Sequence, residues 1–133
     1  VDCYDDCFLA PKSMIKAVQD FCANTNQPVP QTVGEIASVI YNSLAKCYAD
    51  TIVGLEKITG KTYDRIHVVG GGANAGYLNE LTAKYCKKPV YAGPTEATAL
   101  GNLVVQMIYA GELKNLVDAR ICIRESFDIK IYE

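Results

Sequence analysis

Three consecutive glycines, Gly70, Gly71 and Gly72, follow a short apolar run and precede a helical pattern. Each glycine costs backbone entropy on folding, so neither packing nor helix propensity explains three glycines in a row. Such a run is typical of a place where bare backbone must approach a phosphate, a sugar or a ring face. The order strand, glycine loop, helix also directs the positive end of a helix at that place. We therefore expect the functional site at this loop.

The residues before the glycine loop predict two helices. Apolar residues at helical spacing predict a first helix of about three turns that begins near Met14. Thr32 and Glu35 have the capping-box spacing for the start of a long second helix, and Gly60 is its expected stop. This long helix is expected to be the packing spine, because one face carries apolar residues throughout: Ile36, Ile40, Leu44, Cys47, Tyr48, Ile52, Leu55 and Ile58.

The loop and the residues after it predict an α/β fold with more helix than strand. The segments Arg65–Val69 and 89–91 are expected to be short parallel strands, the first covered on both faces. The helix that carries Tyr77, Leu78, Leu81 and Tyr85 would join them as a crossover. Because two strands make a poor sheet, the chain is expected to be part of a larger domain.

The region after the second predicted strand is expected to be helical. Pro94 suits a first helical position and Glu96 the first turn of that helix, with Gly111 as its stop. Gly101, inside this helix, is expected to let a neighbouring segment approach closely. A final helix is predicted near Glu112–Ala119, followed by an alternating tail over 127–132.

Composition and charge exclude several classes of function. The chain has 133 residues and a formal net charge of -2 without a basic cluster, so nucleic acid is not an expected partner. No apolar run approaches the roughly 20 residues of a membrane span, and no signal-peptide pattern opens the chain. A soluble, cytoplasmic protein without a membrane partner is predicted. The first methionine, Met14, falls inside a predicted helix, so the chain is expected to be a piece of a longer protein.

The cysteine spacing predicts free thiols. The six cysteines contain no C-x-x-C pair, and Cys22, Cys47 and Cys86 lie in apolar, helical surroundings. Cys3 and Cys7 have a spacing that leaves a disulfide or a metal pair open, although the single histidine makes a zinc site a poor prediction. That histidine, His67, is expected to be a core residue of the first strand.

From the residues alone, the glycine loop has three possible interpretations. It is a tight turn without a ligand, a dinucleotide site or a mononucleotide site. The spacing of Gly70, Gly72 and Gly76 fits a relaxed dinucleotide fingerprint, but such a site needs an acid at the tip of the next strand. The nearest acid here is Glu96, which lies beyond the turn. Glu96 is better explained as a negative charge at a helix N-terminus.

The third interpretation is supported by a family resemblance. The segment GGGAN followed by YLNEL at 70–81 resembles the adenosine-site motif of the FGGY carbohydrate kinases, and AGPTEATALGN at 92–102 is similar to the next strand–helix junction of that family. Upstream, the segments 8–22 and 26–48 resemble the approach to the same domain. The resemblance covers nearly the whole chain, with the closing tail weakest.

The resemblance implies an actin-like, ribonuclease-H-like ATPase fold in which two domains face a cleft. It implies that residues 1–133 are the C-terminal nucleotide-binding domain, as a fragment, of a two-domain sugar kinase that transfers the γ-phosphoryl of ATP to a sugar hydroxyl. The sugar site, the catalytic base and most Mg²⁺ contacts would lie in the N-terminal domain. The fragment alone is therefore expected to be inactive. The residues do not identify the sugar, and fuculose, xylulose and glycerol are alternative substrates. A non-catalytic nucleotide-binding domain is a further alternative.

The resemblance also implies which residues contact ATP or ADP. Gly71 is the strongest candidate for backbone contact, with Gly70 setting the turn and Gly72 and Ala73 beside it. Asn74 and Tyr77 are candidates for a polar contact or a wall beside the base, with Tyr77 equally well explained as a core residue. No catalytic residue and no metal ligand is assigned to the chain. The roles of Asn79 and Asn102 stay open at this level.

Overall fold

The computed structural model describes residues 1–133. They form two compact units, residues 1–61 and residues 62–133. The first unit holds helices α1 (Met14–Asn24) and α2 (Val33–Thr59). The second holds three strands and three helices: β1 (Ile66–Val68), α3 (Gly76–Cys86), β2 (Val90–Ala92), α4 (Ala97–Tyr109), α5 (Leu116–Ser126) and β3 (Lys130–Tyr132). None of these helices combines the length with the apolar character that crossing a membrane takes.

Helix α2 begins and ends where the sequence predicts. The Thr32 hydroxyl accepts the Glu35 backbone N–H, and the Glu35 carboxylate accepts the Thr32 backbone N–H at 2.9 Å, which confirms the capping box. Backbone N–H donors of Gln31 and Thr32 lower the pKa of the Glu35 carboxyl. Gly60 ends the helix in the left-handed region, with φ of 65°.

The prediction of a packing spine along all of α2 is wrong for its C-terminal half. In the N-terminal half, Ile36 and Ala45 are buried. In the C-terminal half, Leu55 and Ile58 are exposed, Ile58 by 84%. Apolar periodicity shows that a face can be buried but does not supply the segment that buries it, and α1 is too short to cover seven turns.

The sheet in the second unit has the strand order β1-β2-β3 and is mixed. Strands β1 and β2 are parallel, with Ile66 opposite Val90, and α3 connects them, as predicted. Strand β3 is antiparallel to β2, with Tyr132 opposite Val90. The prediction of parallel strands alone is therefore incomplete. The alternating tail supplies a third strand, which pairs with a partner about forty residues earlier.

The core of the second unit lies between the sheet and α3. Val90 and Ala92 of β2 are buried, and α3 packs on β2. Further buried residues come from the inner face of α3, namely Asn79, Leu81, Thr82 and Ala83. His67 is exposed, so the prediction of a core histidine is wrong. Residue alternation along β1 puts His67 on the opposite face, beside the Tyr91 ring at 5.3 Å.

The starts of α4 and α5 differ from the predictions. Helix α4 begins at Ala97, so Pro94 lies in the preceding turn and not at a first helical position, and Glu96 is the N-cap residue. Helix α5 begins at Leu116, because Asn115 accepts the backbone N–H groups of Val117 and Asp118. The helix predicted near 112–119 therefore begins about four residues later than expected, because Asn115 caps its start.

All six cysteines are free, and their burial differs. Cys22 is buried, Cys47 and Cys86 are half-buried, and Cys7 is exposed. Desolvation raises the pKa of the Cys86 thiol. Desolvation also raises the pKa of Cys7 to about 11, together with the hydrogen-bonded, negatively charged Asp5 carboxylate. A thiol with a raised pKa carries little thiolate near neutral pH, so neither group is an activated nucleophile.

Two glycines are expected to respond in opposite directions to substitution by alanine. At Gly93, φ is 131° and an added Cβ would lie 3.0 Å from the Asp128 carbonyl oxygen, so Gly93→Ala should lower the free energy of unfolding by about 1–3 kcal/mol. At Gly101, nothing lies within 4 Å of the added Cβ. The expected close neighbour of Gly101 is therefore absent from this chain, and Gly101→Ala should raise stability by about 0.5–1 kcal/mol. Urea unfolding of both variants checks the pair, and equal effects would contradict the contacts at Gly93.

Candidate functional site

The candidate site lies where β1 and β2 end side by side. The Gly70 N–H donates to the Pro94 carbonyl at 3.0 Å, and the Gly93 N–H donates to the Val68 carbonyl at 2.8 Å. These two bonds continue the pairing of the strands into the turns that follow them. Ligands of α/β proteins bind outside the carboxyl ends of parallel strands, and both turns lie at that end of this pair.

The glycine run forms a short 3₁₀ helix, Gly70–Asn74. Gly70 has a φ of 76°, a left-handed conformation that makes the turn and favours glycine. Gly71 has nothing within 4 Å of the position that its Cβ would take, while a Cβ on Gly72 would lie 3.5 Å from Val68 Cγ1. Gly71 and Gly72 are exposed and Ala73 is buried. The loop thus has an inner side on the sheet and an open side at Gly71.

The loop is attached to helix α3 by one buried side chain. Asn79 is only 2% exposed, and its amide Nδ2 donates to the Ala73 carbonyl at 3.1 Å. The Asn79 backbone N–H donates to the Ala75 carbonyl at 2.9 Å. Asn79 is therefore an internal anchor of the loop, and its amide faces protein and not a ligand. A polar residue on the inner face of a helix is the sequence signal that could have identified this anchor.

The two candidate side chains beside the loop are accessible. Asn74 is exposed at the end of the 3₁₀ helix, and Tyr77 is 49% exposed in the first turn of α3. The alternative of a core role for Tyr77 does not hold in this structure. Asn74 and Tyr77 lie within the same short stretch as the glycines, on the chain segment that leads from the open loop into α3.

Both helices that begin at this edge lack a side-chain cap. The N-cap residues of α3 and α4, Ala75 and Glu96, make no side-chain cap hydrogen bond. Helices α1, α2 and α5 by contrast begin with capped first turns, at Ser13, Thr32 and Asn115. The first backbone N–H groups of a helix have no partner within the helix. At α3 and α4 an N-cap side chain does not take up these donors, and the helix dipole favours a negatively charged group there.

The remaining polar candidates have structural positions. Asn102 Nδ2 donates to the Thr98 carbonyl at 3.2 Å, within its own helix. The exposed Glu96 makes no cap hydrogen bond to the first turn of α4. Before β1, at its other end, the Asp64 carboxylate accepts a hydrogen bond from Arg65, which lowers the pKa of Asp64. Asp64 therefore lies at the end of β1 away from the glycine loop.

The glycine loop is not built as a cluster of metal-ligating side chains. No three His, Cys, Asp or Glu side chains lie close enough together to hold an ion. Mg²⁺ is bound in phosphoryl-transfer enzymes by carboxylates and by substrate phosphates. The glycine loop offers backbone amides and small side chains, which do not fit such an ion. No step proposed below passes through a metal held by this chain.

Comparison with known proteins connects this geometry to one family. Residues 1–110 match the model of the FGGY family of carbohydrate kinases, C-terminal domain. A rhamnulokinase of Bacillus subtilis is 50% identical over 128 residues, which cover 96% of this chain and 26% of that protein. A rhamnulokinase of Enterococcus faecalis is 47% identical over 135 residues, covering 100% of this chain and 27% of the relative. A rhamnulokinase of Bacteroides thetaiotaomicron is 38% identical over 128 residues.

These matches agree with the resemblance noted from the glycine loop and the junction at 92–102. The chain spans 26% and 27% of the lengths of its Bacillus and Enterococcus relatives. The family match covers the glycine loop, the turn at Gly93 and both uncapped helix starts. The chain belongs to the FGGY family of carbohydrate kinases, in the region of its C-terminal domain.

Proposed function

We propose that this chain is the adenine-nucleotide-binding C-terminal part of an ATP-dependent sugar kinase. The whole protein would be a rhamnulokinase of the cytoplasm, which transfers the γ-phosphoryl group of ATP to the 1-hydroxyl of L-rhamnulose. The observation that carries the nucleotide assignment is the open, side-chain-free loop at Gly71, next to two uncapped helix starts. The names of the relatives support the choice of sugar, since the chain itself contains no assigned sugar contact.

The proposed binding mode uses mainly backbone. Gly70 sets the turn, the exposed Gly71 and Gly72 present amides that carry no side chain, and the buried Ala73, with only a methyl group, supports them from the inner side of the loop. A purine or a ribose can therefore lie directly against the main chain. Tyr77 would form a wall beside the base, and Asn74 would supply a polar contact. The positive ends of α3 and α4 would favour the negative charge of the phosphates.

The contribution of this chain to phosphoryl transfer would be positioning. Transfer of the γ-phosphoryl depends chiefly on alignment and on electrostatic stabilisation, with little covalent chemistry for the protein to do. By holding the adenosine end of ATP, the loop would fix the direction in which the phosphates extend. The acceptor sugar, the base that removes its proton and the Mg²⁺ contacts would be supplied elsewhere in the polypeptide. In the proposed actin-like architecture, closing of the two domains would exclude water from the reacting groups.

A titration of the ¹⁵N-labelled chain with ADP and, in parallel, with NAD tests the nucleotide assignment. We expect ADP to shift the amide signals of Gly71, Gly72 and Ala73, with weak affinity because one domain alone holds the nucleotide. NAD should bind no more tightly than ADP, since the chain has no acid at the end of β2 to hold a second ribose. Tighter binding of NAD would favour the dinucleotide interpretation instead.

The same sample also tests the assignment of roles between the two parts of the kinase. The chain alone should show no ATP hydrolysis that depends on added L-rhamnulose, because the proposed base and sugar contacts lie outside it. A coupled assay for ADP release measures this directly. Clear sugar-dependent turnover by the purified chain would overturn the proposal that the catalytic groups lie elsewhere.

A further inference from the structure

The closing residues of the chain lie beside the Gly93 turn of the candidate site and beside the start of α3. The segment 127–133, here called the closing segment, lies outside the region that matches the family model, residues 1–110. It contains β3, which pairs with β2 so that Ala92 lies opposite Lys130 and Val90 lies opposite Tyr132. The closing segment therefore lies next to the strand that leads into the Gly93 turn.

The first contact is at Gly93. A Cβ on Gly93 would lie 3.0 Å from the Asp128 carbonyl oxygen and 3.6 Å from Ile129 Cα. Gly93 is buried, and its N–H is the donor that joins this turn to the Val68 carbonyl at the end of β1. The backbone at 128–129 thus lies against one side of the Gly93 turn. The other side of this turn is hydrogen-bonded to the start of the glycine loop.

The second contact is at Gly76, the first residue of α3. The Tyr132 hydroxyl oxygen lies 3.4 Å from the position that a Cβ on Gly76 would take. Tyr132 is half-buried, on the sheet face that α3 covers, and α3 packs on β3. The Tyr132 side chain therefore reaches under the start of α3, two residues beyond the end of the glycine loop at Asn74.

We infer that the closing segment positions the nucleotide loop, with Tyr132 as a positioning residue that acts through Gly76. This inference rests on the proposed function. The start of α3 and the Gly93 turn determine where the Gly71 and Gly72 amides point, and the closing segment is in contact with both. A displacement of about 1 Å at a binding group can cost on the order of a hundredfold in activity. Tyr132 and the backbone at 128–129 would thus act on nucleotide binding although their own atoms need not touch the nucleotide.

The test compares three variants of the 133-residue chain by the dissociation constant for ADP. Tyr132→Ala removes the contact under Gly76 and should weaken ADP binding about tenfold. Tyr132→Phe keeps the ring but removes the hydroxyl oxygen that lies beside Gly76, so its dissociation constant should fall between those of the parent chain and of Tyr132→Ala. Ile131→Ala is the matched control, because Ile131 is the preceding residue of β3, on the opposite sheet face and 54% exposed. It should leave the dissociation constant unchanged.

The measurement is made by amide chemical shifts on folded protein, well below the unfolding temperature. A purely structural Tyr132 would lower thermal stability and leave the dissociation constant of the folded molecules unchanged, so that result would overturn the inference. Equal weakening by Ile131→Ala would overturn it too. If Tyr132→Ala does not fold, Tyr132→Leu takes its place, since leucine keeps apolar volume but does not reach Gly76.

A readout without nucleotide separates this inference from the proposed function. In the ligand-free chain, Tyr132→Ala should shift the Gly71 and Gly72 amide signals and speed their hydrogen exchange, whereas Ile131→Ala should not. If those changes occur but the parent chain binds no ADP, the positioning contact holds and the nucleotide assignment fails. If ADP binds and Tyr132→Ala changes neither the loop signals nor the affinity, the nucleotide assignment stands and the positioning role is refuted.

Discussion

Replacing Gly71 by leucine is expected to abolish measurable ADP binding while the chain keeps its fold. Nothing lies within 4 Å of the position that a Cβ on Gly71 would take, and its φ is outside the left-handed region, so the folded chain has room for a side chain. The same open space is where the proposed adenosine lies. A leucine there would occupy the ligand's volume and separate the base from the backbone amides. Chemical-shift titration with ADP measures the loss, and circular dichroism reports the fold.

Gly34→Leu is the matched control for Gly71→Leu. Gly34 also has no atom within 4 Å of its Cβ position, and it lies in the first turn of α2, in the other compact unit. This variant should bind ADP as the parent chain does. The proposed binding mode would be wrong if Gly71→Leu bound ADP with unchanged affinity, because a nucleotide resting on the Gly71 backbone leaves no space for that side chain.

Asn79→Ala is expected to destabilise the chain and to loosen the glycine loop. The substitution removes the donor to the Ala73 carbonyl and leaves that buried acceptor without its partner, at a cost of about 2 kcal/mol. The loss is local, because the buried Ala73 is held by this bond while Gly71, Gly72 and Asn74 of the same loop are exposed. Urea unfolding measures the stability. Hydrogen exchange at Gly71, Gly72 and Ala73 measures the loop, and ADP affinity should fall together with its protection.

Asn102→Ala provides the comparison for Asn79→Ala. Asn102 is exposed, and its amide bonds a carbonyl one turn earlier in the same helix. Removing an exposed bond of this kind should change the stability by less than about 0.5 kcal/mol, because water takes over both partners and alanine is the better helix former. If Asn79→Ala were as mild as Asn102→Ala, the role of Asn79 as the anchor of the loop would be refuted.

Local signals in the sequence predicted the helix ends that depend on a few neighbouring residues. The Thr32–Glu35 capping box and the Gly60 stop are confirmed, because both depend on hydrogen bonds and backbone angles within one turn. The strand, glycine loop and helix from Ile66 to α3 are confirmed for the same reason. The Asn115 cap is equally local, and it sets the start of α5 at Leu116.

Predictions that needed a partner segment were less successful. The apolar face of α2 continues to Ile58, yet Ile58 is exposed, because periodicity does not specify which segment covers a face. The prediction of a core His67 requires that both faces of β1 are covered. Its actual exposure follows from the sheet face on which α3 packs.

The candidate site also has one part that local sequence predicts and one part that depends on distant segments. The residue types at 70–74 and 77 were sufficient to predict that bare backbone follows a strand and leads into a helix. Glycine has no side chain in any fold, so this part needs no tertiary information. The tertiary structure alone determined what holds that backbone: the Pro94 carbonyl at Gly70, the Asn79 amide at Ala73, and Tyr132 beside Gly76. Two of these partners lie more than twenty residues away from the glycine they meet. They come into contact only through the register of β1, β2 and β3, because strand pairing joins distant segments that no local pattern connects.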